Sequence, residues 1–204
     1  MATLRAELMP AAAETLTVER RLSARRARRQ RSERALIRGA QAGSEGDLEE
    51  LFTRHWPRAY RAAYLIVHDH AAAEDIAQEA FMSAIRSLHR FDRTRQFAPW
   101  LGRIVANRAI DWTRARAARR EATHELPERS AAADAARTGY SEEILEALRS
   151  LSPEHRAVVV MRFVLEYTPG EIAEALELPR GTVNSRVRRA LDVLDTRLAE
   201  AGLT

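Results

Sequence analysis

Apolar positions along this chain recur at intervals of three and four wherever they show a pattern, and nowhere do they alternate long enough to predict a strand. After the breakers Gly43, Ser44 and Gly46, Asp47 can cap a first long helix with Leu48, Leu51, Phe52, Trp56, Tyr60, Ala63, Tyr64 and Val67 on one face, and Pro57 can bend it. Beyond His68, Asp69 and His70, a second helix carries Ile76, Ala80, Phe81, Ala84, Ile85 and Leu88. It leaves Glu74, Asp75, Gln78 and Glu79 on its early, outward side, where carboxylates suit the positive end of the helix dipole. A polar loop over residues 90–96 leads to a third helix, with Trp100, Leu101, Ile104, Val105 and Trp112 inward and Arg103, Asn107, Arg108, Asp111 and Arg114 outward. Three helices of this length make one small core.

Periodicity stops between residues 119 and 140, where Pro127, Gly139 and many Ala and polar residues predict a flexible linker. Helices resume at the cap Ser141, with Ile144, Leu145, Leu148 and Leu151, and again at Ser152, Pro153 and Glu154, with Val158, Val159, Met161, Phe163 and Val164. The sharpest local signal is residues 168–194. Thr168, Pro169 and Glu171 spell a capping box with proline at the first helical position. Ile172, Ala173 and Leu176 follow at helical spacing. After Glu177, Leu178 and Pro179, a second helix carries Val183, Val187, Leu191 and Leu194. Its other face holds Arg180, Thr182, Asn184, Ser185, Arg186, Arg188 and Arg189, donors suited to phosphates and base edges. Two helices joined by a tight turn, the second cationic near its start, predict a helix-turn-helix; the plainer alternative is a helical hairpin with a solvated basic face. Glu177 stands in the turn where glycine is common, and a left-handed backbone there costs a non-glycine residue about 1 kcal/mol.

The predicted fold class is therefore all-α: two small helical domains joined by a flexible linker, the second containing the helix-turn-helix. Residues 1–41 form an Arg-rich arm, 42–118 the first domain, 119–140 the linker and 141–204 the second domain. The arm is densest in guanidinium groups over residues 20–31, and such repulsion opposes compaction. It reads as a mobile arm able to touch DNA phosphates, as a solvated tail, or as the product of a misassigned start.

Composition narrows the function. The 204 residues, 46% apolar and 30% charged, fit a globular protein with room for two small domains. The absence of cysteine removes disulfides, thiolate metal sites and thiol catalysis. No apolar run is long enough to span a bilayer and the start lacks a signal-peptide core, which predicts a cytoplasmic protein without membrane insertion. All 33 basic residues are Arg, a bias that fits a GC-rich genome, although Arg also favours bidentate phosphate and guanine contacts. The net charge of only +4 makes its distribution more informative than its total. His68, Asp69 and His70 with Glu74 and Asp75 are the best material for a metal or catalytic site, yet no further His is close in sequence and a helix-end turn accounts for them. No phosphate-binding Gly loop and no nucleophile with its base is found, so no enzyme activity, metal or cofactor is expected.

Four passages in order, AEDIAQEAF at 73–81, FAPWLGRIVANRAID at 97–111, LSPEHRAVVVMRF at 151–163 and PRGTVNSRVRRAL at 179–191, resemble an extracytoplasmic-function (ECF) sigma factor. That family supplies the dissociable promoter-specificity subunit of bacterial RNA polymerase. The resemblance covers roughly residues 47–120 and 141–198, with regions two and four present and no room for a region three between them. It implies that Asp75, Gln78 and Glu79 dock on the clamp helices of the polymerase core. It implies that the loop with Asp92, Arg93 and Arg95, together with Asn107, Arg108 and Arg114, serves the minus-ten element, whose everted base a mobile polar loop can read. It also implies that Arg180, Thr182, Asn184, Ser185, Arg186, Arg188 and Arg189 serve the minus-thirty-five element. Promoter DNA and polymerase core are the implied partners, and relatives are commonly held by an anti-sigma factor that covers both domains. Trp100 reads as core, while Trp112 stays open between core and base stacking. The competing reading is a free-standing helix-turn-helix regulator, but the dimers that usually bind two half-sites need a seam, and no long heptad pattern supplies one.

Overall fold

The computed structural model describes residues 32–123 and 140–200; the arm before residue 32 and the linker over 124–139 lie outside the described residues. Among the described residues all regular structure is helical. The chain divides between Thr53 and Arg54 into two compact units.

In the first unit, Ser32 caps helix α1 (Glu33–Gln41) by accepting from the Ala35 N–H, and Leu36 and Ile37 are wholly buried. These residues were expected to belong to the mobile arm. They are helical instead because a capping serine, an acidic first turn and an adjacent apolar pair provide both a start and a buried face. Gly43, at φ +88°, turns the chain into α2 (Glu45–Val67). Ser44, rather than Asp47, performs the cap: its Oγ accepts from the Asp47 N–H at 3.3 Å and its carbonyl from Leu48 N–H at 3.1 Å. Asp47 is buried, and its carboxylate lies so close to Gly39 that a Cβ there would stand 2.7 Å from Cγ, which requires glycine at that point of α1.

In the second unit, α2 continues through Pro57 to a buried run from Ala62 to Val67. Of the face predicted for α2, Leu51, Ala63, Tyr64 and Val67 are buried, whereas Phe52 is exposed. Asp69 caps α3 (His70–Ser87) by accepting from the Ala72 N–H at 3.0 Å. Ala73, Ile76, Ala77, Ala80, Phe81 and Ala84 form its buried stripe, and the stripe's small residues let α3 lie close to α4 (Phe97–Thr123). Ile85 departs from the prediction and is exposed. A short 3-10 turn (Leu88–Arg90) and a loop over 91–96 connect the two. Helix α4 runs on past residue 119, where the linker was expected to begin, to Thr123.

The C-terminal helices are α5 (Glu142–Arg149), α6 (Pro153–Val159), α7 (Pro169–Ala175) and α8 (Arg180–Glu200), with a π turn (Val160–Val164) after α6. Ser152 caps α6 as predicted, whereas Ser141 makes no side-chain cap to the backbone of α5. Phe163, read as an inward residue, is exposed because the π turn rotates it off the buried side. Helices α5, α6 and α7 all pack on α8, and α6 and α7 also lie against α4. A buried arginine ties α6 to the ends of α5 and α2. Arg156 donates to the carbonyls of Leu148 (2.8 Å), Arg149 (3.0 Å) and Leu151 (2.9 Å), and to Ile66 at the end of α2 (2.5 Å). Burial lowers its guanidinium pKa to about 10, which still leaves it charged at neutral pH, where it satisfies carbonyls at two helix ends.

Candidate nucleic-acid interface

The helix-turn-helix forms as its local chemistry predicts. Thr168 Oγ1 accepts from the Glu171 N–H at 3.3 Å, and Glu171 Oε2 accepts from the Thr168 N–H at 2.7 Å, so both arms of the capping box are present. The far end of α7 closes with Leu178 N–H donating to the Ala173 carbonyl (2.9 Å) and Glu177 N–H to the Glu174 carbonyl (3.4 Å). That double bond pattern requires a left-handed residue at Glu177, whose φ is +54°. A side chain occupies a position that glycine fills at less cost, as expected.

Ile172 and Val183 are fully buried where the two helices meet, and this fixes which side of α8 faces outward. Arg180, Asn184, Arg188 and Arg189 are exposed, while Thr182, Ser185 and Arg186 lie at the edge, half-buried. Ser185 Oγ donates to the Thr182 carbonyl at 2.9 Å, so its hydroxyl is partly engaged within the helix. Of the inward positions, Val187, Leu191 and Leu194 are only half-buried, and Ala190 is buried instead.

The second candidate surface combines the loop over 91–96 with the outward face of α4. Phe91 anchors the loop in an aromatic cluster, with its ring 4.7 Å from Trp100 and 5.8 Å from Phe97. Trp100 packs among these aromatics but is only half-buried, so it sits at the edge of the core rather than inside it as read from the sequence. Asp92 accepts from the Thr94 N–H at 2.9 Å, and this bond holds its carboxyl below the ordinary range. The Asp92 carbonyl accepts from Arg95 N–H at 3.0 Å, making a tight turn that leaves Asp92, Arg93 and Arg95 all exposed. On α4, Asn107 and Arg108 are half-buried and Arg114 is exposed. Trp112 is half-buried, with the Arg116 guanidinium 4.9 Å over its ring, so one face is already occupied by a cation.

On α3, Glu74, Asp75, Gln78 and Glu79 are exposed as predicted. Their stripe continues into Met82 and Ile85, 49% and 37% exposed, an apolar extension that periodicity had assigned partly to the core. Glu79 also forms an ion pair with Arg108 at 2.5 Å. The His68, Asp69 and His70 segment has structural roles. Asp69 caps α3 and pairs with Arg116 at 2.8 Å, and His70 Nδ1 lies 2.6 Å from the Tyr60 hydroxyl and stacks on Tyr64. His68 is enclosed; burial, then the Arg156 and Arg149 charges, push its imidazole pKa down to about 2. Among the described residues no cluster of three or more potential metal ligands occurs.

Several arginines on and beside the second surface reach carboxylates of the C-terminal helices. Arg95 pairs with Glu174 of α7, Arg103 with Glu177 in the turn, and Arg114 with Glu154 of α6 at 2.7 Å. Burial raises the Glu154 carboxyl pKa, but its own backbone N–H and the Arg114 guanidinium outweigh that and leave it below its ordinary value. Neutral bonds accompany these pairs: Tyr167 donates to the Ala98 carbonyl at 2.5 Å, and Arg58 to the Leu165 carbonyl. None of these partners was foreseen, because spacing along a helix identifies a charged face but not what meets it.

An all-α chain whose final helices make a capped helix-turn-helix falls into the class of helix-turn-helix proteins. Sigma-70 region 2 matches residues 51–121 and Sigma-70, region 4 matches residues 141–194. RNA polymerase sigma factor CarQ of Myxococcus xanthus is 34% identical over 166 residues, covering 79% of this chain and 94% of CarQ. ECF RNA polymerase sigma factor SigM of Mycobacterium tuberculosis is also 34% identical over 166 residues, covering 80% of this chain and 83% of SigM. The solved structure of CnrH in complex with the cytosolic domain of CnrY matches with a TM-score of 0.65 at 26% identity, covering 82% of this chain and 97% of that one. Sigma factor RpoE of Bartonella quintana, solved with the anti-sigma factor NepR, shares the fold with a TM-score of 0.65 at 23% identity, covering 75% of this chain and 97% of that one. The chain belongs to the ECF sigma factors of the sigma-70 family, with regions two and four.

Proposed function

We propose that this sigma factor works as a cytoplasmic, non-enzymatic specificity subunit, with the exposed stripe Asp75, Gln78 and Glu79 docking on RNA polymerase core. In this reading α8 presents Arg180, Thr182, Asn184, Ser185, Arg186, Arg188 and Arg189 to the duplex minus-thirty-five element. Asp92, Arg93 and Arg95 with Asn107, Arg108 and Arg114 engage the minus-ten strand. The observation that carries it is the joint presence of a complete helix-turn-helix and a region-two block whose acidic stripe is exposed. No described helix is long and apolar enough to cross a membrane. Of the two solved relatives, CnrH is in complex with the cytosolic domain of CnrY and sigma factor RpoE with the anti-sigma factor NepR, and an anti-sigma factor is a natural further partner here.

Energetics explain the division of labour. DNA stacking averages about 1.4 kcal/mol per step, so a bubble of about ten steps costs about 14 kcal/mol. A handful of side chains cannot supply that alone. Capturing one or two flipped bases, at a few kcal/mol each, can nucleate opening while the polymerase channel supplies the rest.

The test is promoter opening with polymerase core present and absent, followed by permanganate reactivity of unpaired thymines on a genomic template library. Replacing Arg186 or Arg188 with Ala should weaken duplex binding by about 1 to 3 kcal/mol for a bidentate base contact. Replacing Asn107, Arg93 or Arg95 should instead spare duplex contact and reduce opening. Tight site binding by the wild type without polymerase, with loop variants that open DNA normally, would favour a free-standing regulator and sink this reading.

A further inference from the structure

The ion pairs between α4 and the C-terminal helices are not scattered. Glu154, Glu174 and Glu177 come from α6, α7 and the turn of the helix-turn-helix, and their partners Arg114, Arg95 and Arg103 lie on the surface assigned to the minus-ten strand or on the same outward face of α4. Arg108 on that face is held by Glu79. Three of the four arginines assigned to the minus-ten strand, Arg95, Arg108 and Arg114, therefore already face carboxylates, while Arg180, Asn184, Arg188 and Arg189 of α8 stay exposed.

We propose that the free chain folds its helix-turn-helix back on its own minus-ten surface, Glu154, Glu174 and Glu177 standing in for DNA phosphates, so that this surface gains DNA only when α6 and α7 leave α4. The proposal rests on the sigma-factor reading for the role of that surface. Two kinds of contact share the work. Tyr167 to the Ala98 carbonyl, Arg58 to Leu165 and Arg156 to Ile66 hold the helices in place through partly or fully buried bonds. Two of the three ion pairs, by contrast, are exposed and weak: the Arg95 and Glu174 side chains are 49% and 61% exposed, and those of Arg103 and Glu177 38% and 73%, while Glu154 beside Arg114 is half-buried. Such pairs are easily exchanged for a polyanion and are screened by salt. That combination suits a cover that must come away when a stronger partner binds.

The full-length chain can be tested directly. Because the sequence contains no cysteine, Ala115→Cys and Asp195→Cys, both at exposed positions, place one spin label on α4 and one on α8. In this labelled background the distance distribution should be single and narrow at low salt, and it should broaden in the triple variant Glu154→Gln, Glu174→Gln, Glu177→Gln. The same triple variant, without labels, should bind a fluorescent thymidine oligonucleotide of about twenty nucleotides more tightly than wild type. Release of each pair is worth about twofold, so the three together should give roughly eightfold. The advantage should vanish near about 0.5 M salt. A broad distribution in the otherwise wild-type chain overturns the closed form, and an oligonucleotide affinity unchanged by the triple substitution overturns the masking. Transcription with polymerase core judges the functional reading separately. There the triple variant should still direct initiation, whereas a wild-type chain that never does so removes the role assigned to the surface without touching the distance measurement.

Discussion

Gly102 offers a perturbation whose sign depends on where the C-terminal helices sit. It lies buried within α4, and a Cβ there would overlap the Tyr167 hydroxyl and stand 2.9 Å from both Cε2 and Cζ of that ring. In an isolated helix, Gly→Ala is favourable by about 1 kcal/mol. Against Tyr167 the same methyl overpacks a tight contact, at a cost of about 1 to 3 kcal/mol. Moving the ring also breaks the hydroxyl's bond to the Ala98 carbonyl, worth about 1 kcal/mol. Subtracting the helix-propensity gain leaves Gly102→Ala destabilised by roughly 1 to 3 kcal/mol. Urea unfolding of the full-length chain, followed by far-UV circular dichroism and by tryptophan fluorescence, measures this. Tyr167→Phe should be mildly destabilising alone and should partly relieve Gly102→Ala, because it removes the atom closest to the new methyl; the double-mutant cycle gives the coupling. A Gly102→Ala chain about 1 kcal/mol more stable than wild type would refute the reasoning, since the helix gain would then act unopposed and Tyr167 could not rest on α4 in solution.

Three further outcomes follow from particular contacts. Comparing Glu177→Gly with Glu177→Ala isolates the left-handed backbone, since both lose the Arg103 pair; the glycine variant should be the more stable, by up to about 1 kcal/mol in denaturant midpoints. His68 binds its proton less readily folded, at about 2, than unfolded, near its ordinary value of 6.5, so its contribution is fully present above pH 6.5 and is lost as pH falls towards 2. The slope should reach at most about 1.4 kcal/mol per pH unit, and His68→Asn, which tolerates the local φ of +52°, should flatten it in urea titrations between pH 7 and pH 5. Reversing Asp75 and Glu79 to Arg should abolish association with polymerase core in a pull-down while helical content stays unchanged. Undiminished association would remove the docking role from α3, and a change in Arg108-dependent DNA binding alone would point to the Glu79 pair instead.

Much of the architecture was legible in the residues themselves, because its signals are local. A capping box needs only Thr168, Pro169 and Glu171, and the α7 to α8 turn only a residue forced to positive φ; the structure contains both. The acidic stripe of α3 and the cap at Ser152 follow from helical spacing in the same way. Failures began where one element's fate depends on another. Asp47 looked like a cap, but its carboxylate is buried beside Gly39 and Ser44 caps instead. Ile85 carried a core-like pattern yet is exposed, since periodicity measures apolar spacing and not whether a neighbour arrives to cover it, and Phe163 is exposed because the π turn breaks the period itself.

Charge shows the same limit more sharply. The sequence by itself determined that α4 and α8 would each present a cationic face, because a guanidinium cannot be buried cheaply without partners and helical geometry gathers such groups on one side. Only the tertiary structure decided which of those cations meet carboxylates. Arg95 and Glu174 lie far apart in the chain, as do Arg156 and the Ile66 carbonyl, and nothing in local propensity couples residues across such distances. Their pairing depends on α6 and α7 coming to rest on α4, a choice among packings that similar apolar stripes could each satisfy and that directional bonds at Tyr167 and Arg156 help make unique.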